Sequence, residues 1–354
     1  MGARLALLAT SLLVSFLAAE LAWRLVMNSE TETGQRLRNP MLYGDPFSDD
    51  FFWKLRYRWQ SHVDHFRPPE NPHPLLGWAS APIREDFSHA LAPEAAGRRP
   101  VLLYGDSFAQ GMQGTDRFQK LLNRDPEFAD FARDHYFLNY GVGGYGVGQI
   151  YLLFQRSIDL FEDPFVIFSV MTFDLDRSVL SVRIGQKPYF EVENGALELR
   201  GVPIDSDPHR YYAENPPEVG SYLLRRLRRL PRFRPDEDGS AATARKKEVN
   251  GAIFAEAIRE LEARELDYVI FVFHARKALR DGPDWRSAFL EGELERHGAP
   301  YLWSYDILRS RAPNAELDEL FDPKTVHPTS LANRIFARAM AERVRADSAD
   351  ESAR

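Results

Sequence analysis

Pro100-Val101-Leu102-Leu103-Tyr104-Gly105-Asp106-Ser107 is the stretch from which the rest of the chain can be read. Its four central residues are apolar or aromatic without a break, and a glycine and two small polar residues follow at once. An uninterrupted apolar run ended by turn residues is the pattern of a strand covered on both faces, as in a parallel sheet. Residues 100–104 are therefore expected to form a first strand, with a helix at 115–123 behind it. The same alternation recurs downstream. Strands are expected at 136–140, 165–171, 268–273 and 300–304, and helices at 147–160, 252–266, 289–297 and 330–344. In the first of these helices Ile150, Leu153, Phe154, Ser157 and Ile158 share one face. Strands alternating with helices build a parallel sheet with crossover connections. The expectation is an α/β protein, a three-layer α/β/α sandwich on a five-stranded parallel sheet, over residues 99–345, with 346–354 as a flexible tail.

Residues 178–245 interrupt this rhythm as an insertion after the third strand. Within it Asn194-Gly195 separates two short alternating runs, a hairpin signal because both turn positions need positive φ. Further on, residues 222–234 hold six arginines with Leu223, Leu224, Leu227 and Leu230 at helical spacing. This is either an amphipathic helix with a solvated basic face or a contact for a membrane surface or anionic polymer. Residues 236–244 are small and polar and read as a mobile loop. Upstream, residues 28–98 are rich in proline, aromatics and charge without a sustained period. They read as an irregular leader packed on the main domain.

Residues 5–19 carry no charge, and the apolar pattern resumes after Glu20 as far as Met27. At about 1.5 Å per residue this is long enough for a tilted membrane span, and Ala18, Ala19 and Ala22 also offer small residues to a signal peptidase. Residues 1–27 are thus a signal anchor or signal peptide, with the uncleaved anchor preferred and the remainder outside the cytoplasm. The chain has 354 residues, with 45 Lys+Arg against 52 Asp+Glu and a net charge of −7. A chain without a basic surplus is a poor general nucleic-acid binder. No cysteine is present, which removes disulfides, thiolate metal sites and cysteine nucleophiles.

The first strand delivers Ser107 to the carboxyl edge of the sheet, where open α/β folds bind ligands. A serine at a strand-to-helix junction exposes its hydroxyl, and nearby backbone N–H groups can hold an oxyanion. Such a serine needs a base. His327 lies in a loop after the fifth strand and before the last helix, with Asp322 the nearest upstream carboxylate, and His274 ends the fourth strand as a reserve. Two decoys are set aside. Gly141, Gly143 and Gly146 match a dinucleotide fingerprint, but no acid stands at the end of the next strand at the usual spacing. His62-Val63-Asp64-His65 has metal-like spacing but no further ligands at hand. Neither a metal nor a cofactor is expected.

Gly105-Asp106-Ser107, the glycine loop 141–146 and His327-Pro328 together resemble the SGNH (GDSL-type) hydrolases over roughly residues 100–345. The resemblance implies a flavodoxin-like sandwich in which Ser107 is the nucleophile and one oxyanion donor, Gly144 the second donor and His327 the base. It departs from the family twice. Phe173 stands where a side-chain oxyanion donor, asparagine, is usual, and Lys324 where the acid three residues before the histidine is usual. Thr172 is the candidate replacement donor and Asp322 the candidate acid, with Asp106 counted among the residues at the substrate. Two readings follow. One is a membrane-anchored, extracytoplasmic ester hydrolase or O-acyltransferase acting on an acylated small molecule or an envelope glycan. The other is a non-catalytic relative that binds or helps assemble such a polysaccharide, with Phe173 as a sugar-stacking surface.

Overall fold

The computed structural model describes residues 2–60, 71–90, 93–230 and 240–352. These fall into two compact units, one drawn from residues 2–60, 180–186 and 205–230, the other from 71–179, 187–204 and 241–352. The His62-Val63-Asp64-His65 motif lies outside the described residues, as do Arg232 and Arg234.

The smaller unit begins with helix α1, Gly2–Met27, which is long and apolar enough to cross a membrane. Its last turns join a small aromatic core of Met27, Tyr43, Leu55 and Tyr222. The segment expected as one irregular leader is divided. Residues 28–60 belong with α1, whereas 71–98 belong to the larger unit, where Leu76, Trp78 and Ile83 are buried in its core.

The larger unit is the expected sandwich. Strand β1 is Arg99–Gly105, followed by the short helix α2, Ser107–Gln110, and by α3, Phe118–Arg124. Helix α3 starts three residues later than expected because Gly114 has positive φ and the Thr115 N–H closes a turn on Met112. Strand β2 is His135–Gly141, helix α4 Val147–Ser157, strand β3 Phe165–Met171, and helix α5 Asp174–Arg177. The hairpin follows as β4, Tyr189–Glu193, and β5, Ala196–Arg200, and its turn residues Asn194 and Gly195 have φ of 53° and 80°. Helix α6, Tyr222–Arg228, belongs to the smaller unit. Helix α7, Ala241–Ala263, strand β6, Tyr268–Phe273, helix α8, Trp285–Arg296, strand β7, Tyr301–Trp303, and helix α9, Ser330–Ser352, complete the larger one.

Two expectations about mobile segments are corrected. Residues 241–244 are helical, since the alanine-rich start of α7 favours helix and Thr243 is buried. Helix α9 continues through the expected tail to Ser352, because no glycine or proline stops it.

The sheet is parallel throughout, in the order β2-β1-β3-β6-β7. Leaving out the hairpin, this is the flavodoxin-like order, in which the chain reverses its direction of winding between β1 and β3. Successive residues of each strand face opposite layers. Leu102, Tyr104, Val166 and Phe168 pack on α4 and α7, while Val101, Leu103, Phe165 and Ile167 pack on α3 and α9. Every residue of β3 is buried, in keeping with a sequence apolar except for Ser169, whose hydroxyl donates to Tyr104 O.

Candidate active site

Strand β1 ends at Gly105, and no larger residue fits there. A Cβ at this position would lie 2.2 Å from Ser169 Oγ and 2.6 Å from Ala109 Cβ. Asp106 then leaves the strand in an extended conformation and caps α2, its carboxylate accepting the Phe108 N–H at 2.8 Å. This cap places Ser107 at the first helical position, half-buried at the carboxyl edge of the sheet beside the winding reversal.

The imidazole of His327 meets it from 220 residues away, with Nε2 2.9 Å from Ser107 Oγ. The other ring nitrogen, Nδ1, lies 2.7 Å from the carbonyl oxygen of Thr325. A carbonyl only accepts, so Nδ1 carries the proton, and Nε2 presents its lone pair to the Ser107 hydroxyl. The loop that holds the ring is tightly closed. Asp322 N–H donates to His327 O at 2.9 Å, Val326 N–H donates to Asp322 O at 2.8 Å, and Phe321 bridges Pro328. Val326 sits at φ 58°, an uncommon conformation for a β-branched residue, immediately before the histidine. Phe108 backs the imidazole, with ring centroids 5.2 Å apart.

Asp322 is not at His327 Nδ1, contrary to the expectation that it orients the ring. Its carboxylate accepts the N–H groups of Lys324 and Thr325, each at 2.8 Å, and these bonds hold its carboxyl below the usual range. The physical reason is local. An aspartate that opens a tight loop bonds to the N–H groups two and three residues on, which turns it away from a side chain five residues on. His274, the reserve base, is buried against Ser304, and burial lowers its pKa to about 4. Its partners are structural ones, and no hydrogen bond joins it to Ser107.

The glycine loop flanks Ser107 on the other side. A Cβ on Gly143 would come 3.9 Å from Ser107 Cβ, so the loop backbone passes directly beside the nucleophile position. Gln110 Oε1 accepts the Gly143 N–H at 3.1 Å, Trp78 Nε1 donates to Gly143 O at 2.9 Å, and Gly144 turns the chain with φ 90°. Gly144 thus lies one residue from the Ser107 contact. Thr172 is buried, gives its N–H to Phe273 O at 3.1 Å, and lines a cavity of about 20 Å³ with Phe173, Ala275 and Ser287. Among the described residues no hydrogen bond connects it to Ser107 or His327. Phe173 is half-buried in the same wall under the Arg286 guanidinium, 5.0 Å from its ring centroid. It supplies no donor there.

Asp106 has a role that the sequence did not indicate. It is buried, and its Oδ2 is 3.3 Å from Ser107 Oγ and 2.9 Å from Arg177 Nη1. Arg177, 7% exposed, also donates to Asp174 at 2.5 Å and to the Tyr145 carbonyl at 3.0 Å. Asp176 in turn takes Lys246 and Arg286, each at 2.5 Å. Three carboxylates and three cations therefore compensate one another beneath the site. Charged groups this deep are rare unless paired. The signal in the sequence was Asp174-Leu175-Asp176-Arg177, three charges two residues after a largely apolar strand.

No protein-family model matches the sequence, and none of the curated proteins does. Among solved structures the chain is similar to an acetyl xylan esterase, at 12% identity over 68% of this chain and 97% of that one, with a TM-score of 0.39. It is similar to a lipase/acylhydrolase from Enterococcus faecalis, at 12% identity over 70% and 96%, with a TM-score of 0.39. A member of the lipolytic G-D-S-L family from Veillonella parvula DSM 2008 is similar at 15% identity over 69% and 97%, with a TM-score of 0.38.

Proposed function

We propose that this chain is a serine-dependent ester hydrolase or O-acyltransferase of the SGNH type. The observation that carries the reading is the 2.9 Å contact between Ser107 Oγ and His327 Nε2, with the opposite ring nitrogen already bound to Thr325 O. In the proposed reaction Ser107 Oγ attacks the acyl carbon and its proton passes to His327 Nε2. The leaving alcohol takes that proton, and the acyl group remains on Ser107. Water or an acceptor alcohol then attacks the acyl-serine and gives its proton to His327, and Ser107 recovers its own as the product leaves. The backbone N–H groups of Ser107 and Gly144 are the groups offered to the oxyanion, and Asp106 fixes the turn that presents the first of them. Phe173 removes a third donor, and loss of one such donor costs about 10² to 10³ in rate.

The substrate class to which export and the family resemblance point is an acyl ester, with acetyl groups on a cell-envelope glycan as the first choice. Helix α1 supports membrane anchoring, and the extracytoplasmic placement of the site is proposed from the signal-like sequence of that segment. The non-catalytic reading is motivated by Phe173, one face of whose ring is covered by the Arg286 guanidinium. The test is release of p-nitrophenol from its acetate by the full chain in detergent, compared with Ser107→Ala and His327→Ala. Loss of turnover in both variants is expected. Turnover indifferent to both would overturn the reading.

A further inference from the structure

The arginine-rich helix α6 is the one strong motif of the sequence that the proposed reaction does not use. Its first turn is capped by a residue of the apolar helix α1. Glu20, 8% exposed, accepts the Ser221 hydroxyl at 2.8 Å and the N–H groups of Tyr222 and Leu223 at 3.1 and 3.0 Å. Arg24 binds Glu20 at 2.6 Å, donates to Gly220 O at 2.9 Å, and lies over the Tyr222 ring. Trp23 and Met27 continue this face into the aromatic core with Tyr43 and Tyr222. One face of the last two turns of α1 is therefore part of the fold, while Leu21 and Leu25 on the other remain largely exposed.

The register along α1 fixes a depth. Between Arg4 and Glu20, the charges that bound the apolar run, the helix rises about 24 Å, and with the long Arg4 side chain reaching to the interface this approaches the ~30 Å of a bilayer's hydrocarbon core. Glu20, and with it the start of α6, then stands at the lipid boundary. At that level α6 exposes Leu224 and Leu227, 40% and 41% accessible and three residues apart on one side. Its arginines divide. Arg229 pairs with Asp45, and Arg225 stacks 3.3 Å from the Phe51 ring centroid. Arg226, four residues after buried Tyr222, is half-buried on the inner side of the helix near Tyr43, whereas Arg228 is exposed beside Leu224 and pairs with no carboxylate among the described residues. Exposed leucines beside an arginine with no carboxylate partner among the described residues, at the end of a spanning helix, match the headgroup layer, where apolar side chains enter the acyl boundary and guanidinium groups meet phosphates.

We propose that α6 lies in the headgroup layer of the membrane that α1 crosses, clamped at that depth by Glu20, with Leu224 and Leu227 inserted and Arg228 on anionic phospholipid. The proposal rests on α1 as a retained span and is independent of the chemistry at Ser107.

The absence of cysteine makes the test direct. A single Leu227→Cys in the full chain, carrying a nitroxide, is reconstituted into phosphatidylcholine vesicles with and without phosphatidylglycerol. Collision with oxygen is compared with collision with a water-soluble nickel chelate. In anionic vesicles the oxygen-to-nickel ratio at residue 227 is expected to exceed that of an exposed Glu295→Cys label several-fold. Adding Arg228→Gln should lower it toward the value in neutral lipid. A water-like ratio in both lipid mixtures would overturn the proposal, and so would a lipid-like ratio that ignores lipid charge and Arg228. N-terminal sequencing of the membrane-borne chain should find residues 1–27 retained. A chain beginning after Ala19 would also overturn it.

Discussion

The Nδ1 atom of His327 lies 2.7 Å from the carbonyl oxygen of Thr325, two residues upstream in the same loop. That bond fixes the tautomer a general base needs, and it leaves Asp322 with a different task. Asp322 holds the loop through two main-chain N–H groups. The amide oxygen of an asparagine at this position could still accept both bonds, so Asp322→Asn is expected to lower kcat by less than about tenfold and leave the pH–rate profile in place. A carboxylate orienting His327 would cost about 10⁴ on the same change. Ester turnover of the two proteins across pH distinguishes the cases.

Arg177 should matter more to stability than any surface charge. It is buried and shared between Asp106 and Asp174, so Arg177→Met would leave two carboxylates in the interior without their cation. Breaking one side of such a network costs about 3 to 5 kcal/mol. Urea unfolding of the full chain in detergent should show a loss of that size, and a loss under about 1 kcal/mol would contradict the role given to the cluster.

A pH dependence follows from His274. Burial lowers its folded pKa from 6.5 to about 4, so between these values the unfolded chain holds a proton that the folded chain does not. Stability from the neutral ring is then complete above pH 6.5 and falls as pH drops toward 4. The slope is about 1.4 kcal/mol per pH unit, or about 2 kcal/mol between pH 6.5 and 5. His73, His89 and His135 are shifted in the same direction by burial and add to the wild-type slope. The specific check is the difference between wild type and His274→Asn, which should narrow by about that amount on acidification. A difference constant with pH would contradict it.

The sheet was legible because its strands are largely apolar runs. Residues 165–171 and 268–273 are observed as read, since burial on both faces favours apolar residues, and the buried Ser169 hydroxyl is satisfied by Tyr104 O at 2.6 Å. Ser107 and His327 were legible because a strand edge and a loop before the last helix bring distant residues to one rim. Their shared hydrogen bond depends on the loop geometry around Val326, which spacing does not reveal. Asp322 was misread for the same reason, because an aspartate's preference for nearby N–H groups outweighs its distance in sequence from the histidine. The Asp106–Arg177–Asp174 cluster joins three segments, and only the charges following β3 hinted at it. Within α1, Glu20 shows in the sequence only as a charge interrupting an apolar run, and its partners lie about 200 residues away at the start of α6.

The central claim is that Ser107 is a nucleophile activated by His327. Treating the full chain with a fluorophosphonate ester and mapping the adduct by mass spectrometry tests it without knowledge of the natural substrate. The account predicts one phosphonylated residue, Ser107, with labelling abolished in Ser107→Ala and strongly slowed in His327→Ala. Labelling spread over other serines, or Ser107 left unmodified while His327 is intact, would contradict it.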